Sequence, residues 1–129
     1  NHVFGGCRSA TRIVFPKYLT YLPGSGVSFC NYMVEFVFPE NVKSISDYFF
    51  YGCISLKEIV IPDTVTTIDF RAFWDCTSLT RITIPASVTK IDSTAFDGCK
   101  KDKLVWVVTP GSYAETYAKK NYYHYTYAK

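Results

Sequence analysis

Apolar residues return along this chain with a period of 23. The middle stretch reads Leu56-x-x-Ile59-x-Ile61-Pro62-x-x-Val65-x-x-Ile68-x-x-x-x-Phe73-x-x-Cys76, and Leu79 opens the next copy. Leu19, Val42, Val65 and Val88 keep the period, as do Leu22, Ile45, Ile68 and Ile91, and Val27, Phe50, Phe73 and Phe96. Pro16, Pro39, Pro62 and Pro85 keep it too, so the chain is one unit repeated. Within the unit, Ile59 and Ile61 are spaced by two, which predicts a short strand with one face to a core. From Val65 to Phe73 the spacing loosens to three and five, which predicts tight turns. Proline ends each strand because it cannot donate to a ladder. Asp69 and Asp92 suit the start of a short helical turn, where a carboxylate accepts an orphan N–H.

A 23-residue unit cannot fold by itself, because its few inward side chains return less than the ordering of its backbone costs. The pattern therefore predicts a right-handed coil of stacked repeats with a parallel strand ladder, in which equivalent residues form columns ~4.8 Å apart. The outward column would be Val14, Val37, Val60, Thr83 and Trp106, with Arg12, Glu35, Glu58, Arg81 and Leu104 beside it. A mostly apolar exposed stripe suits partner contact, and β-branched residues also simply suit a sheet.

The chain reads as a single repeat domain over 1–129: a partial repeat 1–12, repeats 13–35, 36–58, 59–81 and 82–104, and a cap 105–129. The leucine expected at 102 is Asp102, so the pattern stops there. Ser112 and Glu115 form a capping box behind Pro110-Gly111, which predicts a helix over 113–120 and a last tyrosine-rich strand near 122–127. The coil from Leu19 to Cys30 carries "PGSGVSF" where later coils have Ala-Phe, so an irregular outer side is expected there. No matching lid covers the core edge at Val3 and Phe4. The expectation is a chain that continues upstream with more repeats, this being its C-terminal piece.

Composition changes this picture little. With 129 residues, 48% hydrophobic and 18% aromatic, there is material for a core. The net charge of +3 is concentrated in six lysines from Gly98 onward, without the continuous basic stripe that nucleic acid requires. No apolar run approaches the ~18 residues that cross a bilayer, so no membrane insertion is expected.

All five cysteines, Cys7, Cys30, Cys53, Cys76 and Cys99, fall on the same period. His2 and His124 lie at opposite ends and supply no nearby base, and sulfurs in file do not converge on a metal. Packing of buried thiols is the simplest reading, with a disulfide between neighbours as the alternative. Glu35 and Glu58 share a column, between Arg12 and Arg81, and on an open face they read as a solvated ladder rather than a catalytic pair. Glu40 and Asp63 form a second pair, read as plain surface with a calcium contact as the alternative. Tyr48, Tyr51, Phe70 and Trp74, with Tyr113, Tyr117, Tyr122, Tyr123 and Tyr125, read as packing on outer turns and cap, or as stacking sites for sugars. No catalytic residue, cofactor or metal site is expected.

The pattern L-x-x-I-x-I-P-x-x-V-x-x-I-x-x-x-A-F-x-x-C resembles the BspA-like class of leucine-rich repeats, and "AFWDCTSLTRITIPASVTKIDSTAFDGC" (72–99) looks like two copies of it. "FCNYMVEFVFP" (29–39) departs, with Phe29 for Gly and Met33 for Leu. The resemblance implies a leucine-rich-repeat solenoid of the α/β horseshoe class, β-rich, with short helical turns outside and a helix-strand cap. It further implies a secreted or cell-surface protein, bacterial or protist, that binds a protein or surface glycan in adhesion. A structural spacer that presents another domain is the alternative. The candidate partner face is Val14, Glu35, Val37, Glu58, Val60, Arg81, Thr83 and Trp106.

Overall fold

The computed structural model describes residues 9–129; Cys7, His2 and the edge at Val3 and Phe4 lie outside the described residues. The chain coils, and each turn contributes a strand to one face: β1 (Arg12–Val14), β2 (Glu35–Val37), then β4 (Glu58–Val60), β6 (Arg81–Ile84) and β8 (Val105–Val108). A side ladder is built from β3 (Ser44–Ile45), β5 (Thr67–Ile68) and β7 (Lys90–Ile91). Helix α1 (Tyr113–Lys120) and strand β9 (His124–Tyr127) close the C-terminal end. All pairings are parallel, in the order β1-β2, β3-β5-β7 and β4-β6-β8-β9. The registers Arg12↔Glu35 and Glu58↔Arg81 are 23 residues apart, as the period requires. The strand face is therefore two sheets rather than the single ladder expected: β2 and β4 do not pair.

The outer sides are tandem turns, where short helical turns were expected. In one coil the N–H groups of Phe49, Tyr51 and Cys53 donate three residues back, to the carbonyls of Ser46, Tyr48 and Phe50. The alternate N–H groups, of Tyr48, Phe50 and Gly52, donate instead to Phe70, Ala72 and Trp74 in the next coil. Half the donors thus close the turn and half stack the coils, which leaves none of these six groups orphaned. This division needs left-handed backbone at two columns: Ser25, Tyr48 and Arg71, then Phe29, Gly52, Asp75 and Gly98. Glycine suits the second column, and at Gly98 an added Cβ would collide with the Asp75 carboxylate. The "PGSGVSF" coil follows the same turn and ladder pattern, with Ser25, Val27 and Phe29 donating to Asp47, Phe49 and Tyr51. Its expected irregularity is absent because Gly26 leaves out the side chain that would overlap the Phe49 ring.

The core is a set of columns. Phe50, Phe73 and Phe96 stack face to face at 4.9 and 5.0 Å, the spacing of the coils themselves. Around the β2 coil the packing differs, because Phe36 and Phe38 stand where the next coil has Ile59 and Ile61. Together with Phe15, Phe49 and Phe50 they form edge-to-face contacts with centroids 4.8–6.0 Å apart. Five rings crossed this way need more room than isoleucines do, and β2 stands off from β4 at that point.

The cap confirms the predicted helix and corrects the register. Ser112 Oγ accepts from Glu115 N at 3.2 Å, while the Glu115 carboxylate reaches Gly111 N at 2.8 Å and the Tyr127 hydroxyl. The capping box is thus displaced by one residue in its return arm. Strand β8 pairs with β6 as Arg81↔Val105, Ile82↔Trp106 and Thr83↔Val107. The turn at Lys100–Leu104, closed by Leu104 N to Lys100 O, absorbs one residue beyond the period. A shift of one flips every side chain of a strand. Trp106 is consequently fully buried, not outward, and Leu104 is buried as well. Trp106 continues the inward column and stacks on Tyr117 at 5.5 Å and Tyr123 at 4.8 Å.

Two outcomes follow for the cap. Trp106→Ala is expected to cost about 3–5 kcal/mol in urea unfolding. Trp106→Phe should cost less than about 1.5 kcal/mol, since it keeps a ring and removes an indole N–H that has no hydrogen-bond partner; equal losses in both variants would contradict this packing. The Tyr127 hydroxyl and then the Gly111 N–H hold the Glu115 carboxyl below its ordinary value of 4.5. A lowered folded value contributes stability above pH 4.5 that is lost as pH falls through the lower folded value. Melting curves from pH 7 to pH 3 should therefore be less acid-sensitive in Glu115→Gln than in the parent, and identical slopes would sink the assignment.

Candidate functional site

The outward positions pair as Val14↔Val37 on one sheet and as Val60↔Thr83↔Val107 on the other, so the expected column is interrupted between Val37 and Val60 and continues past Thr83 to Val107, not Trp106. Val14 is 48% exposed and Val60 67%, whereas Val37 and Thr83 are half-buried and Val107 is buried. Beside it run Arg12, Glu35, Glu58 and Arg81, all exposed, followed by Val105 and His124. Arg12 Nε donates to Glu35 Oε1 at 3.1 Å. Glu58 has no ion pair among the described residues. With β2 and β4 unpaired, Glu35 and Glu58 are not ladder neighbours, which corrects the continuous column expected for them. Between them lies a cleft of about 240 Å³, lined by Val34, Glu35, Phe36, Glu58, Ile59 and Val60. The signal for this cleft was the pair of phenylalanines at 36 and 38, and Val34 on its rim carried no signal at all.

The cysteine column is packing with a hydrogen bond added. Cys53, Cys76 and Cys99 each donate Sγ–H to a carbonyl 26 residues back, of Val27, Phe50 and Phe73, at 3.1–3.2 Å. Cys53, Cys76 and Cys99 are free thiols. Burial pushes the Cys53 thiol up to about 12 and the Cys76 thiol well above 9.0. A thiol so raised is a poor nucleophile. Among the described residues no group of three or more His, Cys, Asp or Glu is placed to hold a metal. Asp69 is raised, first by burial and then by Asp47, whereas Asp92 is lowered by the hydroxyl and N–H of Thr94.

The outer aromatics pack on one another. Tyr51 stacks on Trp74 at 4.6 Å and Tyr48 meets Phe70 edge-on at 5.5 Å. Arg71, which sequence reasoning passed over, lays its guanidinium 4.1 Å from the Trp74 ring centre. Tyr117 and Tyr123 belong to the cap core and Tyr122 is 86% exposed. A larger concavity of about 390 Å³ lies beside α1, with Ser93, Tyr113 and Lys120 in its walls.

Thiol reactivity checks the column. In the native protein Cys30, Cys53 and Cys76 should resist alkylation while Cys99, half-buried, reacts first. After unfolding without reductant all five should titrate, and three or fewer would contradict buried free thiols.

Residues 1–106 match the family described as BspA type leucine rich repeat region, in six copies. Among solved structures, a leucine rich cell surface protein of Faecalibacterium prausnitzii is 32% identical with a TM-score of 0.80, over 89% of this chain and 30% of that one. A leucine rich repeat protein of T. pallidum is 28% identical with a TM-score of 0.74, over 80% of this chain and 48% of that one. A leucine-rich repeat protein of Bacteroides ovatus is 28% identical with a TM-score of 0.65, over 81% and 27%. The chain thus spans less than half the length of these proteins. No curated protein matches it.

Proposed function

Because the chain belongs to the BspA-type leucine-rich-repeat family, we propose that its strand face is a non-enzymatic contact surface for a protein or a surface glycan, within a secreted or cell-surface protein engaged in adhesion. The observation that carries this reading is the largely apolar outward row of Val14 and Val37 on one parallel sheet and Val60 and Thr83 on the next, flanked by Arg12, Glu35, Glu58 and Arg81. Exposed valines at 48% and 67% on the strand face, rimmed by charge, have the make-up of an interaction patch. The similarity to a cell surface protein of Faecalibacterium prausnitzii supports the location. Raised, buried thiols support a module without nucleophilic chemistry. The repeat boundaries given above and a longer parent protein belong to the same proposal.

The test is an array of glycans and matrix proteins probed with the parent chain and with Val14→Ala, Val37→Ala, Val60→Ala and Thr83→Ser. Each of the valine variants should weaken a true ligand about three- to tenfold, while Trp106→Phe, inside the core, leaves it unchanged. Absence of any ligand, or binding indifferent to all four substitutions, favours the spacer instead.

A further inference from the structure

The break between β2 and β4 is confined to the strand face. The same two coils are joined on the side ladder, β3 to β5, and through the outer turns. Across the break no backbone hydrogen bond runs among these residues, and most Cα pairs between the two strands exceed 8 Å. Paired strands stand ~4.8 Å apart, so one missing strand would occupy a span of ~9.6 Å.

Both rims present bonding groups. Phe15 N donates to Val37 O, and Thr11 O accepts from Glu35 N, so residues 35 and 37 point toward β1. By strand alternation Phe36 points its N–H and C=O into the break. Ile61 N donates to Thr83 O and Lys57 O accepts from Arg81 N, which turns Glu58 and Val60 into the break from the other side. The floor is Phe36 and Ile59, 8% and 6% exposed. Glu35 and Glu58 stand at equivalent repeat positions on opposite rims; Glu35 is ion-paired with Arg12, whereas Glu58, with Arg81 as its register neighbour on β6, makes no ion pair among the described residues.

We propose that this break takes up an extended peptide strand of a partner protein, parallel to β2 and β4, carrying a basic residue followed by an aliphatic and then a β-branched one. In register, the basic residue lies between Glu35 and Glu58, the aliphatic one rests on Phe36 and Ile59, and the β-branched one extends the outward column between Val37 and Val60. Main-chain bonds to both rims supply affinity and the carboxylate pair supplies selectivity. The chain's own strands show the same chemistry from the far sides: Arg12-Ile13-Val14 pairs with β2, and Arg81-Ile82-Thr83 pairs with β4. The proposal rests on the strand-face reading and names its partner chemistry.

The experiment titrates the full chain into a fluorescent, acetylated and amidated peptide copying residues 78–85, read by anisotropy at low salt. Saturable binding is expected, about tenfold weaker when the peptide arginine becomes glutamate. Glu58→Lys, at an exposed position, should reverse that preference. Hydrogen exchange at saturation should slow at the amides of Phe36, Glu58 and Val60. No binding, equal affinity for both peptides, or binding without protection at those amides overturns insertion. A dimer forming through the break in the absence of peptide, seen by sedimentation and abolished by Glu58→Lys, overturns the assignment to a foreign strand. If the peptide fails while an array ligand still depends on Val60, insertion alone falls and the strand-face reading stands.

Discussion

Every feature of this molecule depends on one coil stacking on the next at the spacing of peptide groups. A 23-residue coil has too little side chain to enclose its own backbone, so its polar groups must find partners in the coils above and below. The outer turns meet this demand by alternating donors, one N–H closing a turn and the following one reaching across at 2.7–3.1 Å. The thiols join the same scheme, since each described cysteine from Cys53 onward lends its proton to the preceding coil. Cysteine recurs because it is small, apolar and still a weak donor in a place with a carbonyl to satisfy.

The same constraint explains why the departures are informative. Stacking is maintained where side chains in a column have equal bulk, as in the Phe50, Phe73 and Phe96 column. It fails where bulk rises abruptly, at Phe36 and Phe38 beside Ile59 and Ile61. The coils hold together there through the side ladder and outer turns, so the loss is local and opens a cleft instead of unfolding a repeat. Strained left-handed residues such as Tyr48 and Arg71 are held in the same way, by ladders on both neighbours.

At the C-terminal end the stack must stop without leaving an edge. The lysine-rich turn at 100–104 takes up an extra residue, which rotates Trp106 inward to cover the last phenylalanine of the column. Helix α1 and the parallel β9 then cover what remains, anchored through Glu115 to both the helix start and the final strand. The register slip is a device of closure, and it ends the outward column at Thr83 and a buried Val107.

The sequence by itself determined the period, the strands of the open face, the inward columns and the cap helix, because each is a local or strictly periodic property that reads the same in every copy. It also placed Val14, Val37, Val60 and Thr83 on the open face. The side ladder of β3, β5 and β7 lies in a stretch that reads as turns, and only the stacking of coils makes it a ladder. Only the tertiary structure decided whether neighbouring strands bond and which way Trp106 faces. Those outcomes depend on summed ring volumes between two coils and on where one surplus residue is absorbed, and neither quantity belongs to any single repeat.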